Sequence, residues 1–455
     1  MTTTSSSPHP SGMDSFWRSQ LGELDRHRTT PELPAEVDVL VIGAGYSSAS
    51  FVTHFLASEA AASSVLVLEA RQLCSGATGR NGGHLKPDYY YGAAGHAAEY
   101  GLDAAAEVAE FEHANLQAVS DFIIENNVDC DYIVTRAVDV QLGDDVYNKA
   151  KAGYELLKKS RTGKDVFAIP DSLAEKISGV KKAKSAFSFT SGHLWPYKLT
   201  HHLFADALRK GINLQTETPV QGISKSPDEN GNWIVHTQRG MIRAKKVVAT
   251  SNAYTSSYLP EYKDKIIPYR AICCRITCPE QSRPRLNNTY ALRFADWDFD
   301  YLIPRPDGSI VVGGARSAYL SNKDVWYDSV DDSRVIEQAR SYFDGYMQRH
   351  FHGWEDSEAA VSDIWTGIMG YSSDRLPRVG EVPSRPGVFI MGGFTGHGMA
   401  QIFLTAKGLA GMIRDGDTYD QTGIPRIFQE SPQRLASPEN KVLKLWKTAA
   451  GAARL

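Results

Sequence analysis

Five cysteines, an odd number scattered through the chain, cannot make a disulfide framework. Cys273, Cys274 and Cys278 cluster, but C-C-x-x-x-C has no matching second half, so no metal site is expected. Cysteine usage of this kind fits a reducing compartment. No uninterrupted apolar run reaches the roughly 18 residues that cross a bilayer, and the Ser/Thr/Pro-rich start over 1–12 is not a charged-then-apolar leader. The expectation is a soluble intracellular protein with no membrane partner. An excess of one charge is also missing. The formal net charge is −4, and the clusters KKAK (181–184) and RAKK (243–246) read as solvated faces, so no nucleic-acid partner is implied. Internal repeats and long low-complexity blocks are absent. What remains is ordinary globular material: 455 residues, 42% hydrophobic and 22% charged, enough for two packed domains or one large interleaved pair.

Within that material one stretch stands out, VLVIGAGYSSAS at Val39–Ser50. An apolar strand pattern breaks into Gly43 and Gly45 and then a helical pattern, which is a dinucleotide turn of the form G-x-G-x-x-G with serine in the last place. Gly43 permits the tight turn and Gly45 lets backbone amides approach a pyrophosphate. The third position governs helix–strand packing, where Ser48 is small enough and its hydroxyl can serve a nearby backbone group. The helix from Tyr46 points its amide ends at the anion. Glu69 closes the next strand, 24 residues beyond Gly45, where a carboxylate accepts ribose hydroxyls and disfavours the extra phosphate of NADP. Strand, turn, helix and strand-terminal Glu together predict a bound dinucleotide. No second G-x-G-x-x-G follows a strand, so a nicotinamide-dependent reductase is not expected.

The residues before Val37 read as a tail with a short helix over 15–26. The pattern predicts helices at 46–59, 104–127, 146–159, 199–211, 330–351 and 399–414. Strands are expected at 37–42, 64–69, 212–220 and 388–393, with a hairpin turn at Asp307–Gly308. Parallel-type strands are thus split between the chain ends and a central piece, with antiparallel material between. The fold class expected is α/β, a discontinuous Rossmann-like dinucleotide-binding domain with an inserted antiparallel-sheet domain. Its segments are a tail at 1–36, cofactor pieces at 37–127, 199–260 and 356–440, substrate pieces at 128–198 and 261–355, and a tail at 441–455.

ELPAEVDVLVIGAGYSSAS, LEARQLCSGATGRNGGH, GHLWPYKL, VVATSNAY, YLIPRPDGSIVVGG, WTGIMGYSSDRLPRVG and GGFTGHGM occur in that order over roughly 37–415. In this the chain resembles FAD-dependent oxidoreductases of the D-amino-acid oxidase superfamily. ATGRNGG is particularly similar to the γ-glutamylputrescine oxidase-like branch. The resemblance implies FAD contacts at Gly43, Gly45, Tyr46, Ser47 and Ser48, at Glu69, Ala70 and Arg71, and along Ser75, Gly76, Ala77, Thr78, Arg80, Asn81, Gly82, Gly83, His84 and Leu85. It extends them to Val220 at the adenine end, Ser251 and Asn252, Trp365, Gly367 and Gly370, and Gly396, His397, Gly398, Met399 and Ala400. GHGM, read as opening a helix, offers amides and a dipole for negative charge on reduced flavin.

The implied reaction takes a hydride from a carbon beside an amine nitrogen, giving an imine that water hydrolyses, with electrons passing to oxygen to form hydrogen peroxide. His84, Lys86, His397 and Trp365 are the candidate catalytic residues, and Tyr89–Tyr91 and Trp297 are further pocket candidates. His201–His202 and His350-x-His352 read as surface or core rather than metal ligands.

Three departures from the sarcosine-oxidase-like branch matter. Met399-Ala400-Gln401 stands where a substrate-gripping lysine follows Gly-His-Gly, and valines replace the oxygen-activating lysine in Ser309–Gly313. No cysteine precedes Tyr371–Asp374, so FAD is expected to be non-covalent. Lys86, His84 or Arg80 remain as cations for oxygen. A flavin dehydrogenase with another acceptor, a biosynthetic oxidase forming a cyclic imine or aromatised product, and a non-enzymatic flavin protein are the alternatives. The terminal Ala453-Arg454-Leu455 resembles a peroxisomal address and implies the import receptor as a partner.

Overall fold

The computed structural model describes residues 6–58, 63–159 and 165–452. Two sheets organise them. The first is built on the strand Glu36–Ile42, whose run EVDVLVI is buried on both faces beyond its first residues, as a central parallel strand requires. It pairs in parallel with Val65–Leu68 on one side and Gly240–Ala249 on the other. Asn213–Gln215 and Val388–Gly392 extend the parallel set outward, and Arg378–Glu381 closes one edge antiparallel. A hairpin of Val220–Ile223 and Trp233–Thr237 continues from Gly240–Ala249. Strands from the start, middle and end of the chain thus meet in one doubly wound sheet.

The second sheet runs Ala360–Ser372, Ile266–Thr277, Ile310–Gly314, Asp298–Pro304, Thr289–Ala295, Ile133–Gln141, Ser185–His193 and His84–Leu85. It is antiparallel except where Thr289–Ala295 lies parallel to Ile133–Gln141. The hairpin at Asp307–Gly308 forms as its turn chemistry predicts, with Asp307 Oδ1 accepting from the Ser309 amide at 2.9 Å.

Three expectations change. Residues 15–26 form one short 3-10 turn, Phe16–Arg18, rather than a helix, and Phe16, Trp17 and Leu24 are buried. Trp17 packs edge-on against Trp195 at 5.6 Å and donates to the Asn81 carbonyl, so this stretch is fastened to the body of the protein. The helix expected at 330–351 is broken into Glu337–Ala339 and Tyr346–His350. Asp331 instead caps the Ser333 amide at 3.0 Å, and Gly345 sits at φ +61°, both of which compete with a continuous helix. Finally, the helix expected from Met399 begins at Ile402, after a 3-10 turn over Gly398–Ala400, so its dipole starts three residues later. None of the helices among the described residues is long and apolar enough to cross a membrane. The terminal tripeptide lies outside the described residues.

Candidate active site

A cavity of about 610 Å³ runs from the first strand–turn–helix to the face of the second sheet. At one end Gly43 holds φ +108°, and a Cβ there would sit 3.2 Å from the Thr250 hydroxyl. Only glycine fits that turn. Glu69 is fixed by two backbone donors, the Ala44 amide at 2.8 Å and the Arg71 amide at 2.8 Å. The Tyr46 amide donates to Thr78 Oγ1 at 3.0 Å, which ties the start of the helix Tyr46–Phe55 to the glycine-rich loop. Ser48 is fully buried behind the turn, at the packing position, but its Oγ has no hydrogen-bond partner. The role expected for that hydroxyl is therefore absent.

The loop carrying Ser75–Leu85 is held by buried charge. Arg71 grips both oxygens of Asp332, at 2.9 and 3.0 Å, and Arg80 lies 3.6 Å from the same carboxylate. Arg80 also donates to the carbonyls of Ser75, Met13 and Thr366. With its donors spent on structure, it is not a free cation for oxygen. Gly82 clears Tyr301: a Cβ there would fall 2.2 Å from the ring.

Most of the expected residues line this one cavity. Gly43, Gly45, Tyr46 and Ser47 do so at the turn, with Glu69, Ala70 and Arg71 beside them. Ser75, Gly76, Ala77 and Thr78 line the middle, followed by Arg80, Asn81, Gly82, His84 and Lys86. Val220, Ser251, Asn252 and Gly367 form the facing wall, and Gly396, His397, Gly398, Met399 and Ala400 close the far end. Ser48, Gly83, Leu85, Trp365 and Gly370 stand behind the walls. Trp365 is corrected from a candidate catalytic residue to a strut: it is fully buried, and its Nε1 donates to the Arg80 carbonyl at 2.8 Å. Gly370 faces Asn252, Gly83 faces Leu194 and Trp17, and Leu85 belongs to the core. Of the aromatic candidates Tyr91 lines the cavity. Tyr89 bonds His113, Tyr90 bonds Asp139, and Trp297 offers its carbonyl to Arg316.

Around His84 the cavity becomes a polar chamber of Tyr91, Arg293, Phe299, Tyr301 and Arg316. Burial, then the neighbouring Lys86 and His193, hold the His84 imidazole well below its ordinary value, so it is neutral, and its Nε2 has no partner. Burial also keeps the Tyr301 phenol well above 10 and therefore protonated. Lys86 pairs with Asp139 at 3.0 Å and lies over the Phe189 ring. The His397 imidazole, although burial opposes its charge, is raised by Glu112, which it meets at 2.9 Å. Glu112 and Asp332 escaped the sequence reading. The signal for Glu112 was there, a lone acid within the apolar face Val108, Phe111, Leu116 and Val119; Asp332 left none, because its arginines are over 250 residues away.

The backbone-lined channel, the strand-terminal carboxylate and unpartnered buried polar atoms at Ser75 and His84 suit an extended dinucleotide with a ring system at its far end. A family model described as FAD dependent oxidoreductase matches residues 38–412. The chain belongs to this family. FAD is its cofactor, and Glu69, Gly45 and the loop from Ser75 are the groups that would hold it here. The gamma-glutamylputrescine oxidoreductase of Escherichia coli (strain K12) is 24% identical over 431 residues, 91% of each chain. In fold, the chain is similar to glycine oxidase from Geobacillus kaustophilus, with TM-score 0.70 and 17% identity over 88% of this chain and 99% of that one. It is also similar to L-proline dehydrogenase from P. horikoshii, with TM-score 0.68 and 20% identity over 87% and 98%.

Proposed function

We propose that the protein oxidises a small amine or amino acid at the carbon beside nitrogen and passes the electrons to oxygen. The observation that carries this reading is the shared cavity. The glycine-lined channel opens directly into a chamber rimmed by Tyr91, Phe299 and Tyr301 and charged by Lys86, Arg293 and Arg316. The substrates named for the Escherichia coli relative and the two structural neighbours, an amine and two amino acids, support the same class.

Bound FAD, held without a covalent link, supplies the two-electron acceptor. The chain's residues do the rest. Burial in the chamber disfavours an ammonium ion and so favours the neutral amine, the form that can lose a hydride. Neutral His84 and the protonated Tyr301 phenol offer uncharged hydrogen-bonding groups to it. The substrate C–N bond becomes an imine, and water then releases a carbonyl compound and the amine or ammonia. Oxygen takes the two electrons and two protons as hydrogen peroxide. Lys86, kept in place by Asp139, is the cation we assign to oxygen.

The test is peroxide release against polyamines, γ-glutamyl amines, amino acids and N-alkyl amino acids. One peroxide per amine oxidised supports the reading. Anaerobic reduction by an amine, followed by a reduced enzyme inert to oxygen, would make it a dehydrogenase. No reduction by any compound would refute amine oxidation.

A further inference from the structure

The helix Leu102–Glu125 turns Val108, Phe111, Leu116 and Val119 into the core, and in the middle of that face it carries Glu112 and Asn115. Three residues apart, they project from one side of the helix. Both are buried, at 2% and 0% exposure, and both reach the turn at the far end of the cofactor cavity. Asn115 donates to the Met399 carbonyl at 3.3 Å and accepts from the Leu404 amide at 2.9 Å. Glu112 accepts from Gln401 Nε2 at 2.7 Å, His397 Nε2 at 2.9 Å and the Asp88 amide at 2.6 Å.

A buried carboxylate is costly unless its charge is met and its lone pairs are bonded. Three donors satisfy the lone pairs here, and of the three only His397 can bring a positive charge. The other charged groups acting on His397 are Asp88, which favours its charge, and Lys86, which opposes it. His96 and Arg375 lie around the same part of the cavity. The His397 side chain is itself 36% exposed, so it faces the cavity from one side and Glu112 from the other.

We propose that Glu112 is a positioning residue that keeps His397 as an imidazolium at the end of the cofactor cavity, a fixed positive charge for negative charge developing on the bound cofactor. A chain-packing role alone would need neither a carboxylate nor a histidine there. Asn115 already clamps the same turn with neutral bonds. An imidazolium cannot accept the substrate's proton. His397 therefore acts by charge and by repelling ammonium forms, not as the base. The proposal rests on the FAD site read above.

The test uses the FAD-loaded enzyme and sulfite, whose reversible addition to oxidised flavin bleaches the visible band and leaves negative charge on the ring. Sulfite affinity is followed against pH in wild type, Glu112→Gln, His397→Asn, the double variant and Asn115→Ala. Sulfite's own titration is common to all five and cancels in the comparison. The wild type should show an extra break above the ordinary histidine range. Glu112→Gln should move it downward and weaken sulfite binding about tenfold near pH 7.5, the equivalent of one pKa unit. His397→Asn should abolish the break, Glu112→Gln should add nothing in that background, and Asn115→Ala should leave the break in place.

A Glu112→Gln profile superimposable on wild type overturns the proposal. So does an equal loss with and without His397, which would make Glu112 a clamp. If Glu112→Gln cannot hold FAD, His397→Asn decides: a wild-type profile there also overturns it. Sulfite needs no substrate, so an enzyme behaving as described yet oxidising no amine would leave this proposal standing and sink the proposed function.

Discussion

The indole Nε1 of Trp365 donates a 2.8 Å hydrogen bond to the backbone carbonyl of Arg80. This bond, together with the one from Arg80 to the Thr366 carbonyl, ties the second sheet to the loop that lines the middle of the cavity. Trp365→Phe keeps the packing but leaves that carbonyl unpaired, at about 1–3 kcal/mol. We expect a lower melting temperature and weaker FAD retention, with the spectrum of the remaining holoenzyme unchanged. Differential scanning fluorimetry and FAD titration check this, and unaltered FAD affinity would contradict the strut role.

Asp332 is shared by Arg71 and Arg80, all three buried. Removing one partner from a buried ionic group costs about 3–5 kcal/mol, because the charges left behind lose their counter-ion. Asp332→Ala should therefore give little folded holoenzyme, while Asp332→Asn, which keeps one acceptor oxygen for the Arg71 guanidinium, should retain part of it. Chemical denaturation of the two variants reads the difference. Equal stability of wild type and Asp332→Ala would show that the cluster is not holding the loop.

Trp17 links the N-terminal stretch to the same loop through the Asn81 carbonyl, and packs against Phe16 and edge-on against Trp195. Trp17→Ala opens a large hole in a fully buried site and should cost about 3–5 kcal/mol. Faster FAD release is the expected companion, measured by flavin fluorescence after dilution. Release at the wild-type rate would mean that the stretch only covers the surface.

Asp300 is fully buried, accepting from the Ala315 amide at 2.8 Å and from the hydroxyls of Tyr342 and Tyr346. Burial pushes its carboxyl up to about 7 from 3.8. Between those values the folded chain keeps a proton that the unfolded chain has released. The group's contribution to stability is therefore complete below 3.8 and lost as pH rises through 7. Asp300→Asn should remove this part of the pH dependence, so that urea midpoints from pH 5 to 8 fall less steeply than in wild type. Parallel slopes would contradict the raised value.

The strand–glycine turn–helix was legible because its parts are local. Gly43 and Gly45, the run before them and Glu69 fall within one βαβ unit, and each reports its own backbone or hydrogen-bond need. The cavity end at Gly396–Ala400 was legible through resemblance, although the α-helix starts later, at Ile402. What escaped was long-range. Trp365 reads as a cavity aromatic until the Arg80 carbonyl appears 285 residues away. Asp332 sits in a stretch patterned like a helix, and its tie to Arg71 and the turn at Ser333 prevail over that pattern. The N-terminal residues look like a tail by composition, yet Phe16 and Trp17 find an aromatic site beside Trp195.

We propose that one cavity holds FAD beside an oxidisable amine. The most direct measurement is a visible spectrum of the FAD-loaded protein, recorded without oxygen during addition of the amine panel used for peroxide release. The expected result is a yellow protein carrying one FAD per chain, bleached in a single two-electron step by at least one amine. An FAD spectrum unchanged by every amine, although chemical reductant bleaches it, would contradict the claim.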